Sequence, residues 1–168
     1  MPGSVTDIRA AALRRRYRQL FGGADVPVPV DAIAEDLCSL QVAQEPGLAV
    51  SGMLVPAERR IRINADEPHA RRRFTLAHEL GHWICQCLEG RPAPLYCRAT
   101  DVGLDPSTKS IEREANVFAA ELLMPEEHVR TQWAASPSVD VAARAFDVSD
   151  EAMRWRLYSF GLLPEPPR

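Results

Sequence analysis

Two histidines four residues apart, His78 and His82, stand in the stretch FTLAHELGHWICQCL (74–88), with Glu79 directly after the first. On a helix, residues i and i+4 lie one above the other on the same face, so both imidazoles can reach one ion. Glu79 sits about 100° round the helix from His78. From there a carboxylate can reach a water on the ion without ligating the ion itself. Neutral imidazole suits zinc, and a free carboxylate takes a proton from the water, which is why metal-assisted hydrolysis needs these types at this H-E-x-x-H spacing. Gly81 supports a site here. Glycine inside a helix costs roughly 1 kcal/mol relative to alanine, and it is tolerated where a second backbone or a ligand comes close.

An open site of this kind needs a third protein ligand. His69 and His128 are possible by type. The better candidate is Glu112 in SIEREANVFAAELLMP, because Glu112 and Asn116 are also i and i+4. Glu112 would bind the ion, while Asn116 would accept a hydrogen bond from a histidine ring N–H and fix its tautomer. Ala115 and Ala119 are small enough to let two helices approach. Glu114 is the rival carboxylate, but it points about 200° away from Glu112 on a helix, so both cannot face one ion.

These residues need elements to hold them. Residues 5–21 read as a helix with Ala10, Leu13, Tyr17 and Leu20 on one stripe, and VDAIAEDL (30–37) as a short helix. SGMLV (51–55) and RIRIN (60–64) flank the turn-like PAER, and Ile61 and Ile63 alternate with Arg60 and Arg62, which reads as a half-buried antiparallel hairpin. Pro68 fits the start of the helix that carries the two histidines to about Leu88. Residues 89–107 are a loop by their proline and glycine content. A second strong helix, 108–124, carries Glu112 and is stopped by Pro125. Residues 126–134 form a short helix, and 138–163 two more around FDVSD.

The chain has 168 residues, 46% hydrophobic and 26% charged, with a formal net charge of -3. That suits a soluble globular protein, and gives no global attraction to nucleic acid or anionic membrane. No apolar run approaches the roughly 20 residues of a membrane span. The basic N-terminal segment lacks the contiguous apolar stretch of a secretory signal. A cytoplasmic location follows, where Cys38, Cys85, Cys87 and Cys97 are expected as free thiols.

RRRFTLAHELGHW followed by EREANVFAAELLMP closely resembles the ImmA/IrrE family of metallopeptidases, and the SGMLVPAERRIRIN hairpin resembles that family's lead-in. The likeness covers roughly residues 28–163. It implies an α+β fold with a zincin-like metallopeptidase core, in which a small antiparallel sheet packs on the H-E-x-x-H helix. It implies His78, His82 and Glu112 as ligands of Zn2+, Glu79 as general base, and Asn116 behind the ligands. Mn2+ or Fe2+ fits the same donor types. Family members typically cut a partner protein, often a helix-turn-helix repressor, and so induce a stress or mobile-element response. The segment before the shared region is too short for the N-terminal DNA-binding domain that some members carry. The partner is therefore expected to be a separate polypeptide.

The chain is expected to divide into a metallopeptidase domain, 1–135, and a helical, helix-turn-helix-like extension, 136–168, packed on it. Ala142, Phe146 and Val148 are candidate core positions of the extension, Ser149 an N-cap, and Met153, Leu157 and Phe160 a stripe. Arg144, Arg154 and Arg156 are what a DNA reader would present. Four arginines against five acids in 136–168 make a poor footprint for DNA. The alternative reading is a DNA-binding or antitoxin-like module with a structural or latent metal site. Glu79 argues against it, because structural zinc is closed by four protein ligands and has no use for a free carboxylate. Arg71–Arg73, in the first turn of the active helix, are read as a solvated face or a contact for acidic groups of a partner. Tyr96, Tyr158, His69 and His128 are unranked candidates for stabilising an oxyanion.

Overall fold

The computed structural model describes residues 5–91 and 106–167. Tyr96, Cys97 and most of the 89–107 loop lie outside the described residues. Helix α1 (Val5–Phe21) is followed by α2 (Val30–Ala32), which widens into a π turn (Ile33–Leu37), and then by strands β1 (Gln41–Glu45), β2 (Gly52–Val55) and β3 (Arg60–Asn64). The long α3 (His69–Cys85) and α4 (Pro106–Leu123) precede three shorter helices, α5 (Glu126–Ala135), α6 (Val139–Phe146) and α7 (Asp150–Ser159). The fold is mixed α+β.

The hairpin β2–β3 pairs antiparallel, Leu54 opposite Ile61 and Gly52 opposite Ile63. Its alternation works as the sequence implies: Leu54, Ile61 and Ile63 are buried, while Arg62 on the other face pairs with Glu45. The sheet as a whole is not antiparallel, which corrects the expectation. Its order is β1-β3-β2, and β1 runs parallel to β3, Gln41 opposite Arg60. The segment QVAQE has a single aliphatic side chain larger than alanine, and its place comes from hydrogen bonds to β3 rather than from its own pattern.

Helix α3 is the centre of the molecule. The unbroken run Thr75–Trp83 is buried, because the sheet covers one side of the helix and α4 the other. The helix ends at Cys85, earlier than its apolar pattern suggests, and a tight turn (Cys87–Glu89) follows. Gly81 is what lets α4 in. A Cβ there would lie 3.1 Å from both the Cα and the carbonyl oxygen of Ala115. Gly81→Ala gains roughly 1 kcal/mol in helix propensity but forces two backbones apart, an overpacking that typically costs about 1–3 kcal/mol. The variant is expected to unfold at lower urea than the parent and to bind metal more weakly, because α4 carries Glu112.

Three further side chains depart from their expected roles. Arg73 is buried, donating to the carbonyls of Asp147 at 3.0 Å and Val28 at 2.9 Å, so it braces α3 against the α6–α7 junction instead of facing solvent. Arg156 is likewise buried. It donates to the Met124 carbonyl at 2.8 Å, pairs with Glu121 and stacks on Phe160. Leu20, on the expected core stripe of α1, is 58% exposed. Ala142, Phe146, Met153 and Leu157 belong to the same apolar cluster as Leu80, Phe118 and Leu122, and the Ser149 hydroxyl caps α7 by accepting from Ala152 N–H at 3.1 Å.

Candidate metal centre

The face of α3 that carries His78 and His82 looks at the face of α4 that carries Glu112. The two Nε2 atoms are 3.0 Å apart. Glu112 Oε2 lies 3.1 Å from His78 Nε2, and Oε1 lies 3.4 Å from His82 Nε2. All three side chains are buried. Tetrahedral coordination at the usual zinc bond lengths sets neighbouring donors about 3.3 Å apart, so the cluster has the size of a zinc site.

The imidazoles are oriented from behind. Asn116 Oδ1 accepts from His78 Nδ1 at 2.9 Å, and Gln86 Oε1 accepts from His82 Nδ1 at 2.9 Å. With both Nδ1–H groups committed outward, the Nε2 lone pairs converge with a carboxylate on one point. Three electron-pair donors meeting in a buried space fit a cation. Protons compete for the same lone pairs, so metal affinity should fall in acid.

Glu79 is fully buried, and among the described residues its carboxylate oxygens make no close hydrogen bond, with only a weak approach of the Leu54 backbone. Burial pushes its carboxyl up to about 7, against a partial downward pull from His78 and His82. Glu112 goes the other way. Burial would raise it, but in the metal-free site protonated His78 and His82 beside it prevail and hold it down at about 2, and a bound cation would take the place of those protons. Neighbouring carboxylates driven apart in this manner suit different tasks, one a permanent anion and the other a proton carrier near neutrality.

The rival ligands are elsewhere. His69 Nε2 meets Asp147 Oδ2 at 2.8 Å, and His128 Nε2 meets Asp25 Oδ2 at 3.3 Å. Both are thereby also removed as oxyanion donors beside Glu79. Glu114 does not face the cluster, and accepts from Gln86 Nε2 at 2.7 Å. Gln86 was not singled out from sequence, although its position one turn beyond His82 was the available signal. Cys85 is buried, and burial raises its thiol pKa, as it does for Cys87, which argues against thiolate chemistry at either. Among the described residues no helix is long and apolar enough to cross a membrane.

Beside the cluster, α3, α4 and α7 enclose a groove of about 640 Å³. Among the described residues, Phe74, Val117 and Trp155 line it, Asn116 stands in its wall, and its charged groups are Arg71, Lys109, Arg113 and Arg156 with Glu151.

The profile of the peptidase M78 family, described as the IrrE N-terminal-like domain, matches residues 33–158. No curated protein matches the chain. The solved structure of a Mycobacterium tuberculosis transcriptional regulator superposes with a TM-score of 0.65 at 20% identity, over 95% of this chain and 48% of that one. The chain thus spans about half the length of that structure, and the likeness speaks to fold alone.

Proposed function

The chain belongs to the peptidase M78 family, the IrrE N-terminal-like proteins, and from that premise we propose that it is a zinc-dependent endopeptidase. Its substrate is a partner regulatory protein of the reducing cytoplasm, a helix-turn-helix repressor. The observation that carries this reading is Glu79, a buried carboxylate that makes no close hydrogen bond among the described residues, next to a cluster that brings together three convergent donors among them. A structural site would be closed by a fourth protein ligand, and a carboxylate with nothing to do would not be buried unpartnered.

His78, His82 and Glu112 would hold the ion, with Asn116 fixing the His78 tautomer. Bound there, zinc supplies Lewis acidity toward a carbonyl and toward water. Glu79 accepts the proton of the attacking water and delivers it to the departing amine nitrogen. Strand β2 is an edge of the sheet among the described residues and packs on α3, which is where an extended substrate would add as a further strand.

The groove between α3, α4 and α7 extends this path and would take the substrate's flanking residues. Its cations favour an acidic, partly apolar segment. Lys109→Glu is expected to raise KM severalfold at low salt with kcat retained, and the difference should fade at high salt.

The proposal is tested in an extract of the source cells treated with the zinc-loaded protein. New protein N-termini that form with the parent and not with Glu79→Gln, mapping to one or a few regulators, are the expected result. A parent and variant that yield the same termini would overturn the peptidase reading.

A further inference from the structure

We propose that Arg91 and Glu114, acting through Gln86, form a chain of fixed hydrogen-bond polarity that sets the tautomer of His82 and so keeps its Nε2 lone pair available to the metal. The inference rests on the metal reading above and assigns positioning roles to residues outside the ligand set.

The direction of each link follows from what its groups can do. Arg91 can only donate, and its Nη2 donates to the two Glu114 oxygens at 3.2 and 3.1 Å and to the Cys85 carbonyl. Both Glu114 oxygens receive Arg91 donors, so Glu114 stands in the chain as an acceptor. Gln86, whose amide would otherwise be free to turn over, must therefore present Nε2 to Glu114, at 2.7 Å. Its Oε1 is then left facing His82 Nδ1, at 2.9 Å. An oxygen there requires Nδ1 to carry the proton, which leaves Nε2 with a lone pair directed at His78 Nε2 and Glu112. Gln86 is fully buried, so water does not compete for either end of its amide. At His78 the Nδ1 partner is Asn116, which is itself exposed. The ligand on the buried side is therefore the one whose tautomer is dictated from a distance.

The polarity argument makes Glu114→Gln informative, because the change preserves shape. Arg91 would keep the oxygen of the introduced amide, turning its NH2 toward Gln86. Gln86 would answer by turning over and offering its own NH2 to His82 Nδ1. Every link is satisfied, yet the proton on His82 now sits on Nε2 and points into the site. The pair Gln86→Glu with Glu114→Gln restores the original order, because a carboxylate at 86 accepts from both neighbours. That double variant has the same net charge as the parent.

Two readouts on the full chain test this. Zinc affinity is measured by competition with a chromophoric chelator. The His82 tautomer is read in the metal-free protein from long-range proton–nitrogen NMR correlations of its four histidines. Glu114→Gln is expected to weaken zinc binding about 10–100-fold and to move the His82 proton from Nδ1 to Nε2. The double variant is expected to return both to parental values. A Glu114→Gln protein with parental affinity or an unmoved proton overturns the proposal. So does a double variant that loses zinc as the single one does, since a merely structural contact would be further damaged rather than repaired. If the parent itself fails to bind zinc, the metal reading falls, and the tautomer shift and its reversal still decide the chain of polarity.

Discussion

Glu79→Gln is expected to bind zinc like the parent, to lose at least about 100-fold in peptide-bond hydrolysis, and to be the more stable protein when metal-free at alkaline pH. The loss of activity follows from the proton-carrying role, since an amide of the same shape cannot accept the proton. The gain in stability follows from the environment. Glu79 is fully buried with no close hydrogen bond to either oxygen among the described residues, so its ionised form is the uncomfortable one, and its carboxyl is pushed up from 4.5 to about 7. The folded state holds this proton more tightly than the unfolded state. The contribution of Glu79 to stability is therefore fully present below pH 4.5 and is lost as pH rises through about 7.

At roughly 1.4 kcal/mol per pKa unit, the gap between variant and parent should be small near pH 5 and should approach roughly 3 kcal/mol near pH 8. Glu112, held at about 2, is ionised across that whole window and drops out of the comparison. Urea unfolding in the presence of a chelator measures the gap. Adding zinc should shrink it, because a cation beside the carboxylate favours its charged form. A gap that is the same near both pH values would show that Glu79 is not strained by its charge. Undiminished hydrolysis by the variant would remove it from the chemistry.

The features legible from sequence share one property, that a local spacing decides them. The histidine pair on α3 and the Glu112–Asn116 pair on α4 are both i, i+4, and the structure brings the four side chains together. The β2–β3 hairpin follows from alternation, and Ser149 caps α7 because an oxygen-bearing side chain stands one residue before a helix. What was not legible is decided across the chain. Strand β1 has almost no pattern of its own and exists by pairing with β3, which is also why the mixed character of the sheet was hidden. Arg73 and Arg156 look like surface charges in sequence, and only carbonyl partners at Asp147, Val28 and Met124 make them internal braces. That burial weakens the DNA-reading alternative for α6–α7, since Arg156 is spent inside and Arg144 pairs with Asp140. Glu114 was read as a rival ligand to be eliminated. Its contact with Gln86 spans 28 residues, and no single-helix argument could supply it.

Zinc at about 100 times its dissociation constant is expected to stabilise the parent by about 2.7 kcal/mol, and Glu112→Gln should abolish most of that gain. For a chain of this size each kcal/mol moves Tm by roughly 2–4 °C, so the parent should melt about 5–10 °C higher with zinc, and the variant almost unchanged. The amide keeps the side chain's volume but removes the negative charge that closes the cluster, leaving two imidazoles, their Nε2 atoms 3.0 Å apart, as the remaining donors. The loss should exceed the 10–100-fold typical of residues behind the ligands, and so exceed that of Glu114→Gln. His69→Ala and His128→Ala are the matched controls. Their imidazoles are tied to Asp147 and Asp25, so both variants should keep the full zinc-dependent shift, whatever their own starting stability. If instead His128→Ala loses the shift and Glu112→Gln keeps it, the metal is not where α3 and α4 place it, and Glu79 loses its partner in the chemistry at the same stroke. Agreement on all three variants would leave the carboxylate on α4 as the ligand, and with it the close helix approach at Gly81 as the feature of the fold on which the site depends.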